Sequence, residues 1–454
     1  MADLSALRDV LDGTLLQPGD ETWDAARLGW SSYVDQQPRA VVHAVSVADV
    51  QATVRFAAEA GLTVTAQPRG HGASHALDGA ILLRTGALDD LDVDPDDATA
   101  HVGAGVSWGR VQAALDGTGL TGLAGSNGGV TVVGYLLGGG LSWFGRAYGV
   151  GARCLRAADV VDANGEVRRV DAETDPDLLW ALRGGGGDFG IVTSVEIDLF
   201  PAPQIFGGRV VVPGEAAPEV FGAYTEVTRT APEELSVWLS RMHVPDVPQM
   251  PEEIRGRTLV QVDAVFLGDP EAGSAYLEPF RTVAPVLRET LRPLKPGELG
   301  TVAEEPEDGP PPGVTPVMAA EPLTTFDTTV AEQVVTRTER ESGITVTGVR
   351  HLGGAMTDPP VVDGAGLRVR AGYLLSAMAM APTPQHAAAA TAALQGLTSG
   401  LAPWRIPSSV LTFLGKDAPL SAAYDAATVA RLQEVKRSVD PRGVFRSNHP
   451  VLEG

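Results

Sequence analysis

Residues 175–201, DPDLLWALRGGGGDFGIVTSVEIDLFP, carry the reading that decides the fold. They predict a helix opened at Asp175 or Pro176, a run of four glycines at 184–187, and a strand that stops at Pro201. The order of these pieces is informative. A dinucleotide fold sets G-x-G-x-x-G after a strand and at the opening of a helix, where the positive helix end meets pyrophosphate. Here the glycines follow a helix and precede a strand, so the nearby helix end is the negative one. The Rossmann reading fails, and no G-x-x-x-x-G-K-[ST] is present to make a P-loop.

Upstream, residues 40–64, AVVHAVSVADVQATVRFAAEAGLTV, predict strand, helix and strand, the helix opened by Ser46 with Asp49 three residues on and closed near Gly61. The second strand runs into QPRGHGASH at 67–75, then the apolar run 80–83 and an acidic tract at 89–97. Residues 123–151 hold ten glycines in 29 positions. Ala163-Asn164-Gly165 predicts a hairpin turn. Downstream of Pro201 the pattern becomes strands such as FGGRVVV, LSVWLSRM, RTLVQVDAVFLG and AGYLLSAMAM among helices, with a proline-rich acidic stretch at 290–317 read as a loop or a lid. The layout is α+β: an N-terminal domain over 1–201, a second domain with a mixed or antiparallel sheet covered by helices over 202–405, and a C-terminal segment over 406–454.

Composition narrows the function. With 34 Lys+Arg against 57 Asp+Glu in 454 residues, the net charge of -23 argues against nucleic-acid partners and anionic membrane surfaces. One cysteine excludes an intrachain disulfide framework and any Cys-cluster metal site, and no metal is expected. An acidic N-terminus without an apolar core, and no long apolar run, predict a cytoplasmic protein without a membrane span. No G-x-S-x-G is present, and Cys154, before a strand, reads as a structural thiol. Successive backbone N–H groups in glycine-rich turns can hold an anion without a helix terminus, and 67–75 and 134–140 are such turns. Between two glycines, the His71 imidazole is sterically open; an ordinary exposed turn histidine is the competing reading.

Four ordered stretches, DVQATVRFAAEAGLTVTAQPRGHGAS, GGVTVVGYLLGGGLSWFGRAYGV, DLLWALRGGGGDFGIVTSVEIDLFP and VKRSVDPRGVFRSNHPV, resemble the berberine bridge enzyme-like branch of the vanillyl-alcohol oxidase and para-cresol methylhydroxylase flavoproteins. Residues 202–405 match loosely, through HLGGAM. The resemblance implies a two-part FAD-binding domain of the para-cresol methylhydroxylase type and a substrate domain. It implies a single covalent link from His71 to the flavin, and a pyrophosphate wrapped by Arg69, Gly70, Gly72, Ala73 and Ser74. Gly134, Gly138, Gly139 and Gly140 would approach the ribityl and phosphate chain, Tyr135 would take the place of a ribityl-bonding histidine, Ile191 and Val192 would lie near adenine, and Asn448 near the flavin. Asn127 stands where many members carry a second linking cysteine, and Val130 stands at the position that admits O2.

The implied activity is an FAD-dependent oxidase that takes a hydride from a small alcohol or specialised metabolite and passes electrons to O2, giving H2O2. A flavin dehydrogenase, a flavin-oxygenating enzyme and a non-catalytic flavin-binding protein are the alternatives. The family's Asn-Tyr pair before the final helix has no counterpart, being replaced around Thr428-Val429, and Ser376 falls where some relatives hold a glutamate base. Tyr373, His351 and Tyr424 are then the catalytic candidates, with Arg350 and Arg370 as donors. Trp238, Met242, Met378 and Met380 suit a lipophilic substrate or plain core packing.

Overall fold

The computed structural model describes residues 3–32, 34–306, 315–359, 362–381, 383–415 and 418–452. Among the described residues the N-terminal domain holds two larger sheets and a two-stranded pair, Leu120–Thr121 with Phe200–Pro201. In the first, strands Ala40–His43, Ile81–Arg84 and Val64–Ala66 run parallel, with Thr14–Leu16 antiparallel on the edge. Helix Val47–Ala60 makes the crossover between two of them, opened by a Ser46–Asp49 capping box and closed by Gly61 in the left-handed region. The second sheet is antiparallel, ordered Leu91–Asp94, Thr99–Gly103, Ile191–Asp198, Leu155–Val161, Val167–Val170. Its central strand is the apolar run that follows the four glycines, and helix Pro176–Leu182, capped by Asp175, precedes them.

The second domain is one eight-stranded antiparallel sheet, in which Ile205–Pro213, Thr258–Leu267, Leu235–His243, Val346–His351, Tyr373–Ala381 and Thr315–Leu323 follow one another in space. One face is covered by helices: Ala217–Thr230, Pro270–Thr282 and Thr328–Arg337 bury Val220, Phe221, Leu277, Phe280 and Val334 against Val237, Val262 and Leu375. The stretch 290–317, read as a loop, contains strand Arg292–Leu294 and a 3-10 turn Pro296–Thr301, and Thr315 already belongs to a long strand. The lid reading falls mostly on 307–314, which lie outside the described residues.

The C-terminal chain returns to the N-terminal domain. Helix Ala426–Val439 ends before Pro441, and Val444 O accepts from Val64 N at 2.7 Å while Arg446 N donates to Val64 O at 3.0 Å. A buried polar knot fixes this return. Lys436 Nζ donates to Asp440 Oδ2 (2.7 Å), Asp188 O (2.6 Å) and Phe445 O (2.8 Å). The Asp188 carboxylate accepts from Ser447 N and Val451 N, each at 2.6 Å. Each buried charge is paired or hydrogen-bonded, as burial demands.

Candidate cofactor and substrate site

Strand Val64–Ala66 feeds a turn over 69–74 whose backbone is held by two neighbouring segments. Trp30 N donates to Arg69 O (2.6 Å), Ser31 N to Gly70 O (3.2 Å) and Ser31 Oγ to His71 O (2.7 Å). Gly70 sits at φ +79, and a Cβ there would lie 2.8 Å from Gly29 Cα, so no other residue fits. On the other side, Ser74 Oγ donates to Asn448 O at 3.1 Å, which brings the C-terminal tail onto the turn. Arg69 and Gly72 are exposed, Ala73 and Ser74 buried.

His71 lies half-buried against Trp30, ring centroids 4.5 Å apart and nearly parallel. Its Nε2 is buried without a hydrogen-bond partner. Burial, helped by the Arg69 charge, pushes its pKa down to about 4, so the imidazole is neutral near pH 7.

The second glycine-rich stretch lies across the other sheet. Asn127 is buried, its Oδ1 accepting from Gly129 N (2.8 Å) and its Nδ2 donating to Pro306 O (3.2 Å), so it ties this loop to the second domain. Val130 is half-buried and Gly134 exposed on the short helix Val132–Leu137. The Tyr135 ring is wedged into positions kept free of side chains: a Cβ on Gly140 or Gly151 would stand 2.2 or 2.3 Å from Tyr135 Cε1. Tyr135 Oη is buried without a partner, and burial raises its pKa. Gly139 and Gly140 turn the chain at positive φ, and Gly138 faces Thr412 of the C-terminal segment. Ile191 and Val192, expected near adenine, are 1% and 4% exposed, packed in the domain core on the central strand.

The face of the large sheet that its helices leave free supplies the opposing wall. Strand register places Asp263, Trp238, Arg350 and Leu374 in one cross-strand row and Gln261, Ser240, Gly348 and Ser376 in the next. Two contacts show that this face meets the N-terminal domain. Trp238 stacks on Trp143 at 3.6 Å between centroids, and Leu374 packs with Leu141 and Val150. The Arg350 guanidinium lies over the rings of Trp238 (4.2 Å) and Phe413 (4.8 Å). Phe413 and Trp143 escaped the sequence reading, Phe413 outside every matched stretch and Trp143 inside the second, because both matter only through what they face.

The catalytic candidates fall elsewhere. Tyr373 and His351 are cross-strand partners on the helix-covered face, their rings 5.2 Å apart. Tyr373 Oη donates to Thr228 Oγ1 of helix Ala217–Thr230 at 2.9 Å. His351 Nε2 is 2.9 Å from Arg146 Nη1, and Arg146 also binds the carbonyls of Leu235, Leu352 and Ala231. This arrangement clamps the two domains together. Tyr424 Oη donates to Gly184 O and straps the C-terminal segment to the four-glycine turn. None of the three side chains lines the sheet face opposite Tyr135. Ser376 does face that way, and its hydroxyl makes no hydrogen bond among the described residues. Glu305, an electrostatic neighbour of Arg350, is a carboxylate on this side that no ion pair among the described residues engages.

The site fits a large ligand with phosphate and ring portions. It offers a tightly approached backbone turn, and polar atoms of His71 and Tyr135 buried without hydrogen-bond partners on two walls.

Residues 38–171 match the family model described as FAD binding domain, which spans both glycine-rich turns. The chain is 35% identical over 223 residues to "FAD-dependent monooxygenase FUP4" of Fusarium proliferatum, covering 48% of this chain and 43% of that protein. It is 28% identical over 219 residues to "(R)-6-hydroxynicotine oxidase" of Paenarthrobacter nicotinovorans, covering 48% of each. The matched region thus spans less than half the length of either relative. Among solved structures, BBE-like 1 of Physcomitrella patens superposes with a TM-score of 0.84 at 18% identity over 99% of both chains. That likeness is one of fold.

Proposed function

We propose that this chain, which carries an FAD-binding domain within the berberine bridge enzyme-like fold, is an FAD-dependent oxidoreductase acting on a small organic molecule. The observation that carries the reading is His71: a neutral imidazole with a buried, partnerless nitrogen, on a backbone turn closed by Asn448. When bound, FAD supplies two-electron oxidation of a substrate C–H bond and passes the pair to an acceptor.

The chain's residues then divide the work. Backbone N–H groups of 69–74 hold the pyrophosphate, His71 provides one covalent attachment, and Asn127 leaves no second one. Gly134, Gly138, Gly139 and Gly140 let the backbone approach the cofactor chain, and Val130 leaves room for O2. On this reading the chain is an oxidase, with H2O2 as the second product. Glu305 is the cleft group able to accept the substrate proton, because Asp263 is held by Arg209 at 2.6 and 2.9 Å. The chain's one thiol, Cys154, is buried, which suits a reducing, cytoplasmic compartment. Among the described residues, no helix is long and apolar enough to cross a membrane.

Acid precipitation tests the attachment. The expected pellet is yellow and fluorescent on a denaturing gel, and His71→Ala sends the colour to the supernatant. A white wild-type pellet with FAD in solution overturns the covalent link, and colourless protein overturns the reading. A second reading, oxygen insertion, is favoured by the relatives named monooxygenases. Anaerobic reduction by substrate, followed by air, separates the two: stoichiometric peroxide supports the oxidase, and 18O from O2 in the organic product supports insertion.

A further inference from the structure

We infer that Arg350 selects the substrate: the molecule oxidised here carries an anionic oxygen, a carboxylate or phenolate, on an otherwise apolar frame. This rests on the proposed FAD site and names the class of compound that it takes.

Arg350 is half-buried on the sheet face that opposes Tyr135. Its guanidinium carbon lies over the Trp238 and Phe413 rings, 4.2 and 4.8 Å from their centroids, cation–π contacts that use none of its N–H donors. Among the described residues it makes no hydrogen bond and no ion pair. Most arginines on this sheet are engaged: Arg209 is bidentate to Asp263, and Arg241 donates to Val335 O and Glu339. Glu305 and Asp263 attract Arg350 through space, but Asp263 is committed to Arg209 and neither carboxylate touches Arg350.

A partly desolvated cation without a hydrogen-bonded acceptor gains from a ligand that supplies one. The guanidinium fork matches a carboxylate bidentately. Two further donors without partners lie close by, the buried Tyr135 Oη, an electrostatic neighbour of Arg350, and the Ser376 hydroxyl one row along the sheet. Beyond them the face offers Gly348, Met378 and Met318, the last 60% exposed, which suits an apolar body. Polar donors gathered at one point of an apolar wall fix a ligand's orientation as well as its charge.

Benzoate and benzamide, which share shape and differ in charge, are the probes, titrated against the visible flavin spectrum of the purified holoprotein. Benzoate is expected to bind about tenfold or more tightly than benzamide, the size of one charge-assisted hydrogen bond. Arg350→Gln should abolish that preference while flavin content and thermal midpoint stay near wild type, and Arg350→Lys should keep part of it. Equal affinities in wild type, no spectral response to benzoate, or an Arg350→Gln protein that still prefers benzoate overturns the inference and leaves the FAD site standing. Colourless protein fails the FAD reading itself, and this inference with it.

Discussion

Replacing Gly140 with alanine tests the packing on which the cofactor wall depends. The added methyl would sit 2.2, 2.5 and 2.6 Å from Tyr135 Cε1, Cζ and Cδ1, and the residue holds φ +73. Forcing a methylene-sized group into a filled interior costs about 1–3 kcal/mol. The left-handed backbone adds about 1–2 kcal/mol for a residue with a Cβ. The expected loss is therefore roughly 2–5 kcal/mol, a large share of the ~5–15 kcal/mol that holds a typical domain folded. Urea unfolding followed by circular dichroism gives the stability, and absorbance of the purified protein gives flavin content, which should fall as Tyr135 is displaced. Tyr135→Ala in the Gly140→Ala background should recover the steric part and leave the backbone part, a coupling of about 1–3 kcal/mol. Gly222→Ala is the control: its Cβ would meet nothing within 4 Å in a helix interior, and it should stabilise by about 0.5–1 kcal/mol. A Gly140→Ala protein as stable as wild type, or one with no coupling to Tyr135, refutes the wedge.

Two further outcomes follow from buried charges. Lys436→Met leaves Asp440 and two backbone carbonyls without their cation, so the C-terminal return should loosen with a loss of about 3–5 kcal/mol; urea midpoints and proteolysis after residue 440 measure it. His351 is 6% exposed and its pKa is pushed down to about 3 by burial and Arg146. The unfolded chain titrates near ~6.5 and binds the proton that the folded one refuses, so this stability is complete above that value and shrinks as pH falls toward the folded pKa. From pH 7.5 to 5 the His351 contribution should drop by at most about 2 kcal/mol, and His351→Gln should flatten that slope; an unchanged slope would show that another group sets it.

Much of the cofactor half was legible in the sequence because its signals are local. Ser46, Asp49 and Gly61 bracket a helix through backbone groups within a few residues, and the order of helix, four glycines and strand at 175–201 excluded one nucleotide fold outright. His71 stood out for the same reason, since its two glycine neighbours are its sequence context. That its nitrogen is buried, unpartnered and backed by Trp30 comes from a segment about forty residues earlier in the chain.

The substrate half depended on the tertiary structure. Strand Val346–His351 is covered by the helices on one side and by the N-terminal domain on the other, so alternation alone does not say which residues face the cleft. Arg350 and His351 are adjacent in sequence and both carry polar side chains. One turns toward Trp238 and Phe413, the other toward Arg146 and Tyr373. A strand reverses its facing at every residue, and only the packing of helices against one side of the sheet decides which residues are left for a ligand.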